Sequence, residues 1–234
     1  MNAATLALND FRLLWRHGFA MAYLVVAVLF AAVLSALPRA WADPVLPVLA
    51  WSDPAFFCFF FAGASLCLDL SQGTLRALFA SPLRPVTFLV VKAANLGVLS
   101  FAMAILVSAS ARGADFRLWP LAAAALAGGA PTAVMGAALA LRLKTVNRFM
   151  MGSMPAFMLL SLPLVEYAAG RYLPPWFAIV ARAMPTDGAL RLARAAYASV
   201  PVPELLGAAA SSVAWTVVAS LLLLGPAIAA TRAD

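Results

Sequence analysis

Apolar residues run along this chain in long unbroken blocks, with the charged residues standing between the blocks. Cutting at the charges leaves Gly18–Pro38, Pro54–Leu68, Ala93–Ala111, Leu118–Leu141, Phe149–Val165 and Leu205–Thr231. A helix needs about 20 largely apolar residues to cross a bilayer core, so the pattern predicts six transmembrane helices. Pro54–Leu68 is the short run. Ser52-Asp53-Pro54 ahead of it reads as a helix start, and continuation past Asp69 to the break at Gly73 supplies the missing length.

Two segments depart from the block pattern. In residues 1–17, Ala4, Leu8, Phe11 and Trp15 recur at helical spacing while Asn2, Asn9, Arg12 and Arg16 take the other side, which predicts an amphipathic helix lying at the membrane interface. Residues 18–234 then form a single membrane domain. Within it, residues 174–199 are too long for a turn and too polar to span. Prolines suit the first turn of a helix and Thr186 suits an N-cap, so two short helices are expected, about Pro175–Met184 and Asp187–Ser199. They read as a re-entrant hairpin before the sixth span, with Trp176, Pro185 and Thr186 as its gate residues; two helices lying flat on the surface is the alternative.

Composition agrees with the pattern: 65% of the 234 residues are hydrophobic, only 11% are charged, and the mean hydropathy is +0.96. The expected fold class is therefore all-α integral membrane, a multi-pass protein of the cell membrane. Gly97, Gly128, Gly129, Ala133, Gly136 and Ala137 offer close helix approach, and Pro131, Pro155 and Pro163 offer kinks. The net charge of +7 reads as topology and contact with anionic lipid headgroups, not as a nucleic-acid surface.

Basic residues are retained on the cytoplasmic side. With the N-terminus inside, the inner connections hold Arg12, Arg16, Arg76, Arg84, Lys92, Arg142, Lys144, Arg148 and Arg232, against Arg39, Arg112 and Arg117 outside. The long connection with Arg171, Arg182, Arg191 and Arg194 is set aside, because the rule is weakest there. Both ends are thus expected in the cytoplasm. Cys58 and Cys67 share one span and read as core residues. Ala40-Trp41-Ala42 has the form of a signal-peptidase site, but the run before it is long for a secretory segment and the residues ahead of that run look structured.

No catalytic constellation, metal cluster or cofactor motif is legible. A phosphate-cradling Gly-x-x-x-x-Gly-Lys-Ser/Thr loop and a Gly-x-Gly-x-x-Gly turn are both missing from the sequence. The single histidine, His17, flanks the first span beside Arg16. Ion-coupled carriers place ionisable groups inside spans, and here Asp69, Lys92 and Glu166 come nearest to such positions, which keeps a secondary carrier open as a reading.

The stretch Asp69–Lys92 crowds charge, glycine, proline and hydroxyl groups between the second and third runs. Gly73 can end one helix and Thr74 start another; Leu75, Leu78 and Phe79 then share a face, and Ser81-Pro82 ends it. An apolar knob on a cytosolic loop fits a partner's groove, or folds onto the headgroup region. The same loop would also serve a non-transporting anchor that recruits a cytosolic protein.

The order acidic-x-x-x-Gly-Thr-Leu-x-x-Leu-x-x-Ser-Pro-Leu with a following lysine stands here as Asp69, Gly73, Thr74, Leu75, Leu78, Ser81, Pro82, Leu83 and Lys92. It resembles the coupling-helix signature of ABC-2 type permeases. Asn9-Asp10-Phe11-Arg12-Leu13-Leu14-Trp15-Arg16-His17-Gly18-Phe19, Trp51-Ser52-Asp53-Pro54 and Gly73-Thr74-Leu75-Arg76-Ala77-Leu78-Phe79 are most similar to the fluoroquinolone-export permeases. The resemblance implies a six-span export subunit that pairs with a second permease half, another copy or a related chain. It implies a separate cytosolic ATPase, which binds ATP and Mg and docks on a coupling helix of about residues 73–82, including Gly73, Thr74, Leu75, Arg76, Leu78, Phe79, Ser81 and Pro82. Phe57, Phe60, Phe61, Met151, Met154, Phe157 and Glu166 are the candidate substrate path for amphipathic, drug-like or lipid-like compounds, since aromatic and methionine side chains adapt to varied ligands.

Overall fold

The computed structural model describes the backbone of residues 3–73 and 85–233, and within these every regular element is helical. The helices are α1 (Ala3–Arg16), α2 (Phe19–Ala36), α3 (Arg39–Ser52), α4 (Cys58–Ser71), α5 (Pro85–Arg112), α6 (Leu118–Leu143), α7 (Val146–Gly152), α8 (Met154–Leu160), α9 (Leu162–Ala169), α10 (Pro175–Arg182), α11 (Asp187–Ala195), α12 (Val202–Ala219) and α13 (Gly225–Ala233). Among the described residues, five stretches are long and apolar enough to cross a membrane: Phe19–Ala36, Arg39–Ser71, Thr87–Arg112, Leu118–Leu143 and Val202–Ala229.

Two of the six expected spans take a different form. The second starts at Arg39 instead of Pro54, because α3 runs into α4 through a π-helical turn at Asp53–Phe57. Pro54 has no N–H to give to the preceding turn, and a wider turn absorbs that defect without ending the helix. Ser52-Asp53-Pro54 is therefore an internal register shift and not a helix start. Ala40-Trp41-Ala42 falls in the first turn of α3.

The expected fifth span, Phe149–Val165, is cut into α7, α8 and α9 by breaks at Ser153 and Ser161. Pro155 and Pro163 each stand in the first turn of the segment that follows a break, where a missing N–H costs little. After the second break Leu164 N bonds to Ser161 O, one residue short of the α-helical partner. The carbonyl of Leu160 is thereby released.

Burying an apolar side chain inside a membrane bundle exchanges lipid for protein, so close packing and hydrogen bonds hold it together. α6 is the central element, touching α4, α5, α11 and α12. Gly136 of α6 lies against the backbone of Phe59, and a Cβ there would overlap the Phe59 carbonyl. Gly128, two turns earlier, gives the same close approach to Ala189 of α11. The small-residue positions of the fourth run are thus the contact stripes of the central helix.

α10 and α11 are the two short helices before the last span. α11 is embedded between α3, α6 and α12, with Asp187, Gly188, Ala189, Leu190, Leu192, Ala193 and Ala195 all buried, while α10 keeps Trp176 and Ile179 exposed. α1 packs on α5 and α2 through Leu6, Asp10 and Leu14, leaving Leu8, Phe11 and Trp15 exposed. Its apolar outer stripe is the one expected for a membrane surface. The inner stripe, with an aspartate at its middle, was not anticipated.

Candidate functional site

α5 enters the bundle at the end from which the connection 74–84 leaves. Two turns into it, Lys92 is buried, with 4% of its surface exposed, among other helices and away from water. A buried ammonium is tolerated only where its three N–H groups find acceptors. Two helices supply its partners: Lys92 Nζ is 3.1 Å from Asp10 Oδ1 of α1 and pairs with Asp69 Oδ2 of α4 at 3.2 Å, and it donates to Ser65 Oγ of α4 at 3.2 Å. The ammonium also lies 5.2 Å from the centre of the Phe88 ring, one turn back on its own helix.

The arms differ in quality. Asn95, one turn beyond Lys92, donates through Nδ2 to the second oxygen of Asp10 at 2.8 Å and to the Ala7 carbonyl at 3.0 Å. α1 is thus held at two successive turns of α5. The Asp69 contact is an ion pair without a well-aligned hydrogen bond on Oδ2. Ser65 itself donates to the Ala62 carbonyl at 3.2 Å, which orients its oxygen.

Asp69 and Lys92, read from the sequence as candidate intramembrane charges, are therefore brought together as partners. Asp10, Asn95 and Ser65 were not singled out. Asp10 had a signal that could have found it: an acid placed between Leu6 and Leu14, at i, i+4 and i+8 on one helix stripe.

Of the docking residues expected from the resemblance, Gly73 closes α4 with φ of 73°, a left-handed conformation that glycine adopts without strain. Thr74, Leu75, Arg76, Leu78, Phe79, Ser81 and Pro82 lie outside the described residues.

The expected substrate-path residues divide between two faces of α4. Phe57 meets Tyr23 at a tilt and Phe61 meets it edge-on, with centroids 5.0 Å away in each case, and Phe61 also meets Phe19 of α2. Phe60 meets Phe149 and Phe157, and Phe157 lies 4.3 Å from Phe56. The rings are engaged with one another. Met151 and Met154 are exposed on α7 and α8, and Glu166, near the end of α9, is half-buried. A separate apolar cavity of about 350 Å³ opens between α5, α6 and the α12–α13 segment, lined by Val90, Ala94, Leu126, Ala130, Thr216 and Ser220 among others, and it includes none of these seven residues.

At the opposite end of the bundle, Thr186 sits in the turn between α10 and α11. Its hydroxyl donates 2.7 Å to the Leu160 carbonyl released by the break before Pro163. No N-cap bond forms from it to α11, because Thr186 has helical backbone angles, φ −88° and ψ −11°, and not the extended ones from which a capping oxygen accepts. Its own carbonyl accepts from the buried Trp51 indole at 2.9 Å. Pro185 is buried beside it and Trp176 is exposed. Burial pushes the Asp187 carboxyl above the ordinary carboxylate range, opposed by Arg191 at 2.8 Å. Arg112 closes the same end, with Nε 2.9 Å from Asp43 and a hydrogen bond of 3.1 Å to the Tyr197 carbonyl.

Residues 2–230 match the model of the Fluoroquinolones export permease protein family. Among curated proteins, two Fluoroquinolones export permease proteins of Mycobacterium tuberculosis, from strains CDC 1551 / Oshkosh and ATCC 25618 / H37Rv, are each 27% identical over 186 residues. The similarity covers 79% of this chain and 76% of each relative.

Proposed function

The chain belongs to the Fluoroquinolones export permease protein family, a family of membrane transport proteins, and on that basis we propose that it is the permease subunit of an ATP-driven exporter. The cargo is amphipathic and drug-like, of the fluoroquinolone type named for its relatives. A separate cytosolic ATPase binds ATP and Mg, and a second permease half, identical or related, completes the membrane unit. Both termini and the connection 74–84 face the cytoplasm, as the excess of lysine and arginine in the inner connections supports.

The observation that carries this reading is the braced base of the 74–84 connection. Asp69 precedes the connection and Lys92 follows it, and their side chains meet at 3.2 Å within a buried cluster. A push delivered to the connection from the cytoplasm therefore arrives at a stiff junction of three helices. A soft junction would dissipate it. Such a push shifts access only through its different binding to the two states of the bundle.

The same cluster weighs against an ion-coupled carrier that works through Lys92 and Asp69. A carrier needs an ionisable group that can exchange its ion with water, whereas Lys92 is buried against Asp10, Asp69 and Ser65.

The test is ATP-dependent uptake of a fluoroquinolone into inside-out vesicles containing the chain with its ATPase, alongside co-purification of that ATPase. Leu75→Asp together with Phe79→Asp is expected to abolish both. Uptake that follows an ion gradient without ATP, or an ATPase that stays bound to the doubly charged variant, would overturn the reading.

A further inference from the structure

The Lys92 cluster joins α1 to the ends of α4 and α5 that flank the 74–84 connection. This helix is exposed along Leu8, Phe11 and Trp15, a stripe suited to lipid, and an interfacial helix can be no more than an anchor. Its other stripe excludes that minimal role. Asp10 is 4% exposed and is held from two turns of α5, by the Lys92 ammonium at 3.1 Å and the Asn95 amide at 2.8 Å. A lipid anchor requires neither a buried acid nor a two-point lock.

Burying two acids and a base is costly, and ion pairs of this kind are best attested where they fix one register. Register is what the geometry defines here. Lys92 and Asn95, three residues apart, share a face of α5 and bind the two oxygens of one carboxylate, so rotation of α1 breaks one contact as it strains the other. The Ala7 carbonyl adds a third point one turn earlier on α1. Gly18, with φ of 78°, then passes the chain directly into α2. The cluster thus joins the helices that flank the 74–84 connection to the helix that leads into the first span.

We propose that Asp10 and Lys92 are positioning residues that lock α1 to the base of α4 and α5, so that this base and α1 move as one body and carry displacement into α2. The proposal rests on the reading of the chain as a permease driven from that base. Asp10 is the arm that can be removed cleanly, because Lys92 keeps Asp69 and Ser65 and no acid is left unpaired.

The experiment compares wild type, Asp10→Ala, Asn95→Ala and Asp10→Glu in the reconstituted complex with its ATPase. Two quantities are read: drug taken up per ATP hydrolysed, and the distance distribution between spin labels at Leu8 and Val98, both exposed positions, with Cys58 and Cys67 replaced by alanine. In the wild type the distance is expected to stay the same with and without trapped nucleotide, and a distance that changes with nucleotide overturns the proposal. Asp10→Ala is expected to keep ATP hydrolysis, to lower uptake per ATP by about ten-fold and to broaden the label distances; Asn95→Ala gives the smaller change of the same sign, and Asp10→Glu restores most of the ratio. An unchanged ratio and an unchanged distance distribution in Asp10→Ala overturn the proposal, as does a parallel fall in uptake and hydrolysis with no loss of ratio. Absence of ATP-driven uptake in the wild type instead defeats the exporter reading, and the label distances still decide whether the lock exists.

Discussion

The indole N–H of Trp51 donates to the main-chain carbonyl of Thr186 across 135 positions of sequence, at 2.9 Å and with both residues buried. The Thr186 hydroxyl hands on to the Leu160 carbonyl at 2.7 Å. One residue therefore ties α3, the broken α8–α9 helix and the turn ahead of α11. Its three anchor points sit where the backbone is irregular: ahead of a proline break, before a π-helical turn and in a two-helix corner.

Removing the Thr186 hydroxyl strands the Leu160 carbonyl, whereas removing the Trp51 donor costs the Thr186 carbonyl one of two partners, since it keeps the Leu190 N–H at 3.1 Å. Interhelical hydrogen bonds inside membranes are worth less than the full desolvation penalty, because the same groups find other protein partners in the unfolded chain, so Trp51→Phe and Thr186→Val are each expected to cost about 1–2 kcal/mol. Thermal unfolding in detergent checks this, with a lower Tm for both. The two losses should fall short of additivity in the double variant, since both contacts position the same residue.

Gly136 is the tightest crossing of α4 and α6, with no room for a Cβ beside the Phe59 carbonyl. Gly136→Ala is expected to force the helices apart and cost about 1–3 kcal/mol, visible as aggregation in size-exclusion chromatography or a depressed Tm. Gly207 on α12 faces open space. Gly207→Ala should leave the protein unharmed or raise its stability by up to about 1 kcal/mol through helix propensity.

Phe157 and Met151 were read alike from the sequence, and their surroundings separate them. Phe157 is wedged between Phe56 and Phe60, so Phe157→Ala should lose about 3 kcal/mol of stability whatever it does to export. Met151 is 72% exposed, and Met151→Ala should alter stability by less than about 0.5 kcal/mol. Uptake normalised to folded protein then reports, for Met151, contact with cargo or with a second permease half.

The pair Arg112–Asp43 is half open to its surroundings, with 42% of the Asp43 side chain exposed, so Asp43→Asn should cost under about 1 kcal/mol and lose its effect at high salt. Arg112→Met should cost more and keep its effect in salt, because it also removes the hydrogen bond to the Tyr197 carbonyl and the contact with the Tyr197 ring. Unfolding of both variants across a salt series separates the two contributions.

The sequence by itself determined the membrane character, the placing of the apolar runs, the N-terminal amphipathic helix and the two short helices before the last span. Each of these follows from local partition between water and lipid or from proline and glycine acting on their own turn of backbone. It also set Asp69, Lys92 and Glu166 nearest to intramembrane positions, of which the first two meet in one cluster. Only the tertiary structure decided what those charges do, because Asp10 and Asn95 reach the same point from helices far apart in sequence. The same holds for Thr186, whose hydroxyl serves a carbonyl freed by a break 26 residues away instead of its own helix. An ammonium or a hydroxyl in a low-dielectric interior bonds to whichever acceptor the packing brings within reach, and that packing is set by close approaches such as Gly136 on Phe59 and Gly128 on Ala189, which no single segment contains.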